Sequence, residues 1–353
     1  MNAKKILAFA LALATTLSLT ACGSTSTSNS GGSSAAAPSS SGAAAAPAGP
    51  EVTLIAAHVN NEDSSYHYGL TKFKEKLEEV SGGKMTVEIH PNGELGGDET
   101  ELIEKVASQT VDVIVVSPGD LSSAVPQVDF LALPFIYNDF DHWKKCIQSD
   151  DVGGYFADFV NQNGAFHVLS YYMCGIRSLF CTHPVESLED MKGLTIRVKQ
   201  SENVFALWSA YGCTPTAVAY NEIYSALQNN VIDSAENDIA NILNMKFHEP
   251  APYITLTQHD YATRFVVIGA SKYNSLTDEQ KAWVDEAGEY SESLQWEYDM
   301  EYADTCRAQL EEEGAQFITV DGAEFAAVAM PILDQIADKL GVTAGYDAIK
   351  ALG

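Results

Sequence analysis

Residues 111–120 read "VDVIVVSPGD", and the unbroken apolar run from Val113 to Val116 is the strongest constraint on how this chain folds. A strand with no polar face must be covered on both sides, as in sheets that carry helices on each face. The preceding sequence supplies those helices. "VTLIAAH" reads as a strand ending at His58, Leu70, Phe73, Leu77 and Val80 recur at helical spacing, and "KMTVEIHP" reads as a second strand. Leu102, Ile103 and Val106 then mark one face of another helix. In open α/β sheets, ligands sit beyond the carboxyl ends of the strands, here near His58 and near Ser117 and Pro118.

A second α/β region follows "NGAFHVLSYYMCGIRSLF". It is built from "LTIRV", the helical "NEIYSALQ" and the short strand "NVIDSA", and "RFVVIGA" adds a further buried strand. Thr277 and Gln280 then form a capping box, and a stripe of Trp283, Ala287, Tyr290, Leu294, Tyr298, Tyr302, Cys306 and Leu310 runs on to a stop at Gly314. At 1.5 Å per residue, about 36 residues span roughly 54 Å, so this helix is expected to run along two lobes. Phe325, Val328, Ile332, Leu333, Ile336 and Leu340 predict a last helix, kinked near Pro331. Two α/β lobes with several chain crossings predict a hinge-closing binding protein with its ligand cleft between the lobes.

The N-terminus, "MNAKKILAFALALATTLSLTAC", has two lysines, an apolar run from Ile6 to about Leu19, and small residues before Cys22. That is the layout of a signal peptide, and the run is shorter than the roughly 20 residues a helix needs to cross a bilayer. Leu19, Thr20, Ala21 and Cys22 resemble a bacterial lipobox, which implies cleavage after residue 21 and lipidation of Cys22. Two acyl chains on one residue would hold the chain stably at the outer face of the cytoplasmic membrane. Residues 23–50 contain only small or polar uncharged residues and proline, the composition of a flexible tether.

The formal net charge of -28 argues against nucleic acid as a partner, because no basic surface is left to neutralise phosphates. Cys146, Cys174, Cys181, Cys213 and Cys306 remain after Cys22, and no two have C-x-x-C spacing, so no zinc or redox motif is written. At most two disulfides could form, or none. The chain has no G-x-S-x-G, H-E-x-x-H or Gly-rich phosphate loop, so an enzyme is not expected and no metal or cofactor is called for.

"GLTIRVKQ", from Gly193 to Gln200, alternates apolar Leu194, Ile196 and Val198 with Thr195, Arg197 and Lys199. That period puts Arg197 on the polar face of a strand, where it meets either solvent or an anion. The stretch that contains it, Met191 to His248, resembles the solute-binding subunit of tripartite ATP-independent periplasmic (TRAP) transporters of the dicarboxylate-binding type. The matching elements are the "KGL-x-IRV" strand, the "P-T-x-x-A" turn, "E-x-Y-x-ALQ-x-x-x-x-D", the "EN" pair and "KF-x-E", with "HPNGELGG", "LPF" and "GIR" outside it.

The resemblance implies a two-lobed periplasmic-binding-protein-like α/β fold. Residues 51–174 with about 263–302 would make one lobe, and residues 175–262 with about 303–353 the other, after a signal peptide at 1–21 and a lipidated linker at 22–50. It implies a monomer that captures an organic acid and passes it to TRAP membrane subunits. A tethered sensor serving a signalling receptor would carry the same site. By the same carry-over Arg197 forks onto the ligand carboxylate, Asn237 donates to it, Arg177 adds a second cation and Tyr220 lines the pocket. Asp98 and Ser117 would contact the rest of the ligand. The chain departs from the family pattern at Lys199, Ser234 and Asp238; Lys199 is either a further cation suited to a second carboxylate or an exposed side chain.

Overall fold

The computed structural model describes residues 51–199 and 201–353. The signal peptide, Cys22 and the linker lie outside the described residues. Nine strands form one mixed sheet: β1 (Val52–Ala57), β2 (Met85–His90), β3 (Val113–Val116), β4 (Phe166–Cys181), β5 (Thr195–Val198), β6 (Thr214–Ala217), β7 (Ser234–Asp238), β8 (Tyr253–Gly269) and β9 (Gln316–Thr319). Their order is β2-β1-β3-β8-β4-β7-β5-β6, with β9 against β8.

The apolar run of β3 does what its composition requires. Val113 and Val115 pack with Leu70, Phe73 and Leu77 of helix α1 (Ser65–Val80) on one face of the sheet. Ile114 and Val116 join Leu102, Ile103 and Val106 of helix α2 (Glu99–Ala107) on the other. Each of these buried apolar side chains contributes about 1.5–3 kcal/mol relative to exposure.

β4 and β8, of 16 and 17 residues, run antiparallel through the middle of the sheet and join its two halves. β3 pairs with the C-terminal part of β8, whereas β7 pairs with the C-terminal part of β4. The register between β4 and β8 shifts between Met173 and Ile176, where Gly175 has φ +67°. A side chain there would meet the Asp238 Cβ at 2.5 Å, so both the turn and the close approach demand glycine.

The long helix runs from Asp278 to Glu312, its Thr277–Gln280 capping box formed as the sequence predicts. Its 35 residues span about 52 Å. Val284 and Ala287 pack with the α1 side of the sheet, Trp296 with the central core, and Leu310 with Phe247 and Ile254 at the far end. One helix therefore spans both lobes.

Two expectations shift. The strand read at "NVIDSA" begins later, at Ser234, because Asn230 adopts φ +55° and Val231 is exposed as the chain turns out of the preceding helix. The displacement carries Glu236 and Asn237 into the sheet interior. The last helices are Gly322–Leu340, with Pro331 inside it, and Thr343–Leu352. Cys146, Cys174, Cys181, Cys213 and Cys306 are all free and buried. Among the described residues no helix is long and apolar enough to cross a membrane.

Candidate ligand cleft

A cleft of about 350 Å³ opens where the strand ends of the two halves meet. Ser117 and Asp120, just beyond β3, border it on one side, together with Arg264 of β8. Arg177 of β4, Lys199 after β5, Glu236 of β7 and Asp260 of β8 border it as well. Four cations and four acids thus cluster at or beside one small volume, counting Arg197 and Glu99 with those that border it.

Arg177 is already committed. Its Nη2 donates to Glu236 Oε1 at 2.9 Å, its Nε donates to Oε2 at 2.5 Å, and its Nη1 donates to Asn237 Oδ1 at 2.7 Å. His259 Nε2 stands 3.5 Å from the same Glu236 carboxylate. Burial works against charge at both positions, yet the pairing outweighs it: Glu236 holds the Arg177 pKa above its ordinary value, and Arg177 with His259 holds Glu236 below the usual carboxylate range. Nη2 also donates to the Glu236 carbonyl at 2.9 Å, so this fork-to-fork pair engages four of the five Arg177 N–H groups and leaves one Nη1 hydrogen.

Arg197 is different. The face of β5 that carries Arg197 does not open to solvent, and Arg197 is only 6% exposed. Its Nε donates to the Val218 carbonyl at 2.9 Å, and its guanidinium carbon lies 5.9 Å from the centre of the Tyr220 ring. Among the described residues it makes no other side-chain hydrogen bond, so both terminal nitrogens are unspent. Burial lowers its pKa; Glu236 opposes that shift and Arg177 adds to it. A desolvated guanidinium beside another cation is stabilised by an incoming anion.

Arg197, Tyr220, Asn237 and Arg177 form a chain. Asn237 Nδ2 donates to the Tyr220 hydroxyl at 3.3 Å, while Asn237 Oδ1 receives the Arg177 bond. Of these four, Arg177 borders the open volume and the others adjoin it through Arg177. Tyr220 is 36% exposed, which separates it from the core. Ser117 borders the cleft, where its hydroxyl accepts from Lys199 Nζ at 2.8 Å. Asp98 is exposed and caps α2, accepting from the Glu101 N–H at 2.7 Å, and it does not border the cleft.

Lys199 also reaches Asp120 Oδ2 at 2.9 Å, so its charge is already paired. Behind Asp120, the Glu99 carboxyl accepts the Ser117 N–H at 2.8 Å, and burial raises its pKa. Sequence reasoning passed over Asp120, Glu99, Asp260 and Arg264. The polar run "QHDYATR" inside an otherwise apolar strand was the available signal for the last two.

The family model described as "Bacterial extracellular solute-binding protein, family 7" matches residues 56–340. A solute-binding protein of Sulfitobacter sp. NAS-14.1 is 32% identical over 242 residues, 69% of this chain and 73% of that protein. The C4-dicarboxylate-binding protein DctB of Bacillus subtilis is 30% identical over 241 residues, 68% of this chain and 67% of that protein. A crystal structure of a TRAP periplasmic solute-binding protein from Bradyrhizobium, in complex with D-galacturonate, is 28% identical and superposes with a TM-score of 0.80, covering 85% of this chain and 99% of that one.

Proposed function

We propose that this chain, which belongs to family 7 of the bacterial extracellular solute-binding proteins, acts as a monomer that captures an organic acid and delivers it to the membrane subunits of a TRAP transporter. The observation that carries the reading is the contrast between two arginines. Arg177 spends four of its five N–H groups on Glu236 and Asn237, whereas Arg197 is buried with both terminal nitrogens unspent. A carboxylate fits that planar fork with two parallel bonds, which a lysine could not reproduce. The ligands of the Bacillus subtilis relative, a C4-dicarboxylate, and of the Bradyrhizobium structure, D-galacturonate, are carboxylates as well.

In this reading residues 51–174 with 263–302 form the first lobe and residues 175–262 with 303–353 the second, hinged where Gly175 breaks the β4–β8 register. Lys199 of the second lobe then grips Ser117 and Asp120 of the first, a polar latch across the cleft mouth. Asn237 and Tyr220 orient the Arg197 end of the site. Asp98 keeps the role of a helix cap, away from the cleft and outside ligand contact.

A thermal-shift screen of carboxylates, neutral sugars and amines tests the ligand class. A ligand at a hundred times its dissociation constant adds about 2.7 kcal/mol of stability, so a bound acid raises the melting temperature visibly. Shifts produced only by neutral sugars or amines contradict the reading. The proposal includes a lipid anchor at Cys22. Cys22→Ser should move the protein out of the membrane fraction or leave it unprocessed; a correctly cleaved variant still held at the membrane would refute the anchor.

A further inference from the structure

A ligand held by the second lobe alone would favour neither the open nor the closed form, because a ligand shifts a conformational equilibrium only through contacts that differ between the two states. Some group of the first lobe must therefore reach it. Most first-lobe hydroxyls that border the cleft are spent. Ser117 Oγ donates to Asp120, Ser122 Oγ to the Gly119 carbonyl at 2.6 Å, and Ser123 Oγ to the Asp120 carbonyl at 2.9 Å. The Asp120 carboxylate is itself paired with Lys199.

Arg264 is the exception. β3 ends at Val116, which pairs with Phe265, so Arg264 lies one residue past the end of that strand, at the border of the cleft. It is 7% exposed, and among the described residues no carboxylate forms an ion pair with it; Glu99 and Asp260 act on it through their fields. Its Nε donates to the Tyr66 hydroxyl and one Nη1 hydrogen to the Thr263 carbonyl at 2.9 Å. A guanidinium carries five N–H donors, so the second Nη1 hydrogen and both on Nη2 have no acceptor among the described residues. Nor is that edge sealed. The side-chain atoms that are both inaccessible and unpartnered include Asp260 Oδ1 but not Arg264 Nη2. Buried donors are almost always hydrogen-bonded, so an accessible, unpartnered guanidinium edge at a cleft marks the place of an acceptor. Tyr66, 1% exposed in the first turn of α1, holds the guanidinium at Nε and leaves the Nη edge free.

We propose that Arg264 is a second ligand-binding arginine: its Nη edge donates to a ligand oxygen remote from the carboxylate, with Tyr66 as its positioning residue. The inference rests on the carboxylate reading at Arg197 and adds the first-lobe contact that couples binding to closure.

The test is isothermal titration of the full chain with pairs of acids that share a carboxylate and differ at the far end. The pairs are D-galacturonate against tetrahydropyran-2-carboxylate, its ring without the hydroxyls, and succinate against butyrate, with weak members measured by competition. The wild type should prefer the oxygen-bearing member of at least one pair by about tenfold or more, as hydrogen bonds from a charged donor allow. Arg264→Met and Arg264→Gln should shrink that ratio about fivefold or more, while the bare acid binds within about threefold of its wild-type affinity. A purely structural role would weaken both members equally and leave the ratio unchanged. Circular dichroism confirms folding. If neither Arg264 variant folds, Tyr66→Phe decides, since it keeps the guanidinium but frees its Nε and should shrink the ratio about twofold or more.

A wild type that binds both members of each pair alike, or a ratio unchanged in the folded variants, overturns the inference. So does an acid from the wider screen that binds a folded Arg264→Met as tightly as the wild type. If Arg197→Ala abolishes binding while one of those results holds, only the role of Arg264 falls. If no carboxylate binds in either test, the carboxylate reading falls and this inference falls with it.

Discussion

Arg177 and Arg197 show what a single residue's sequence context reveals and what it withholds. Each is an arginine in an apolar strand, and nothing within ten residues of either tells them apart. The difference lies across the sheet. β4 pairs with β7 in a register that sets Leu179 opposite Glu236 and Ser178 opposite Asn237, and this register delivers a carboxylate to Arg177. Arg197, one strand further out, faces the Val218 carbonyl and the Tyr220 ring. The spacing of "LTIRV" identified the strand and the arginine and left solvent and an anion both open for its polar face, which in the fold is buried. Burial of that kind is a product of pairing between distant segments, which periodicity along one strand does not encode. Lys199 was open for the same reason: its partners Ser117 and Asp120 lie some eighty residues earlier in the chain.

At the scale of elements the sequence was most informative. Its helices and buried strands follow from local period and caps, and the Thr277–Gln280 box marks the start of the long helix to the residue. The element that escaped is the register break in β4, which depends on Asp238 and Asp299 meeting at Gly175. The Gly175 N–H donates to Asp299 Oδ2 at 2.8 Å, and Ser65 Oγ donates to Asp299 Oδ1 at 2.5 Å, so one carboxyl of the long helix ties α1 to the break.

Burial pushes Asp299 up to about 7, with Asp238 adding to the shift and Ser65, Gly175 and Arg264 opposing it. Burial likewise pushes Glu292, on the same helix, to about 7. An unfolded carboxyl titrates near 4, so the folded chain retains protons that the unfolded chain releases. The stability these groups contribute is full below about pH 4 and is lost as pH rises through about 7. The melting temperature should therefore fall from pH 5 to pH 8, and Asp299→Asn should flatten that slope. A melting temperature that rises over this range, or a slope unchanged in Asp299→Asn, contradicts the assignment. Asp120 and Glu236, both held low, lose their contributions only in stronger acid and do not enter this window.

For the whole molecule, alternating strands and helices announced two α/β lobes and a helix long enough to join them. The path of the sheet, with β4 and β8 continuing through both halves, was not legible, because it rests on non-local pairing. The net charge of -28 poses a question at this scale, since the proposed ligand is an anion. Surface charges are screened over about 8 Å at physiological salt, whereas Arg197 would meet its ligand in a desolvated cleft where an ion pair is far stronger. Affinity is thus decided by the few groups at the strand ends, and the overall field acts mainly on the rate of encounter.

The central claim is that Arg197 holds the ligand's carboxylate, and isothermal titration of Arg197→Ala and Arg197→Lys with the acid that most raises the melting temperature tests it most directly. Removing one partner of a buried ion pair costs about 3–5 kcal/mol, so alanine should weaken binding by roughly a hundredfold to a few thousandfold. Lysine, which keeps the charge and loses the fork, should recover little of it. If both variants fold and bind within a few-fold of the wild type, Arg197 does not hold the carboxylate and the account fails at its centre.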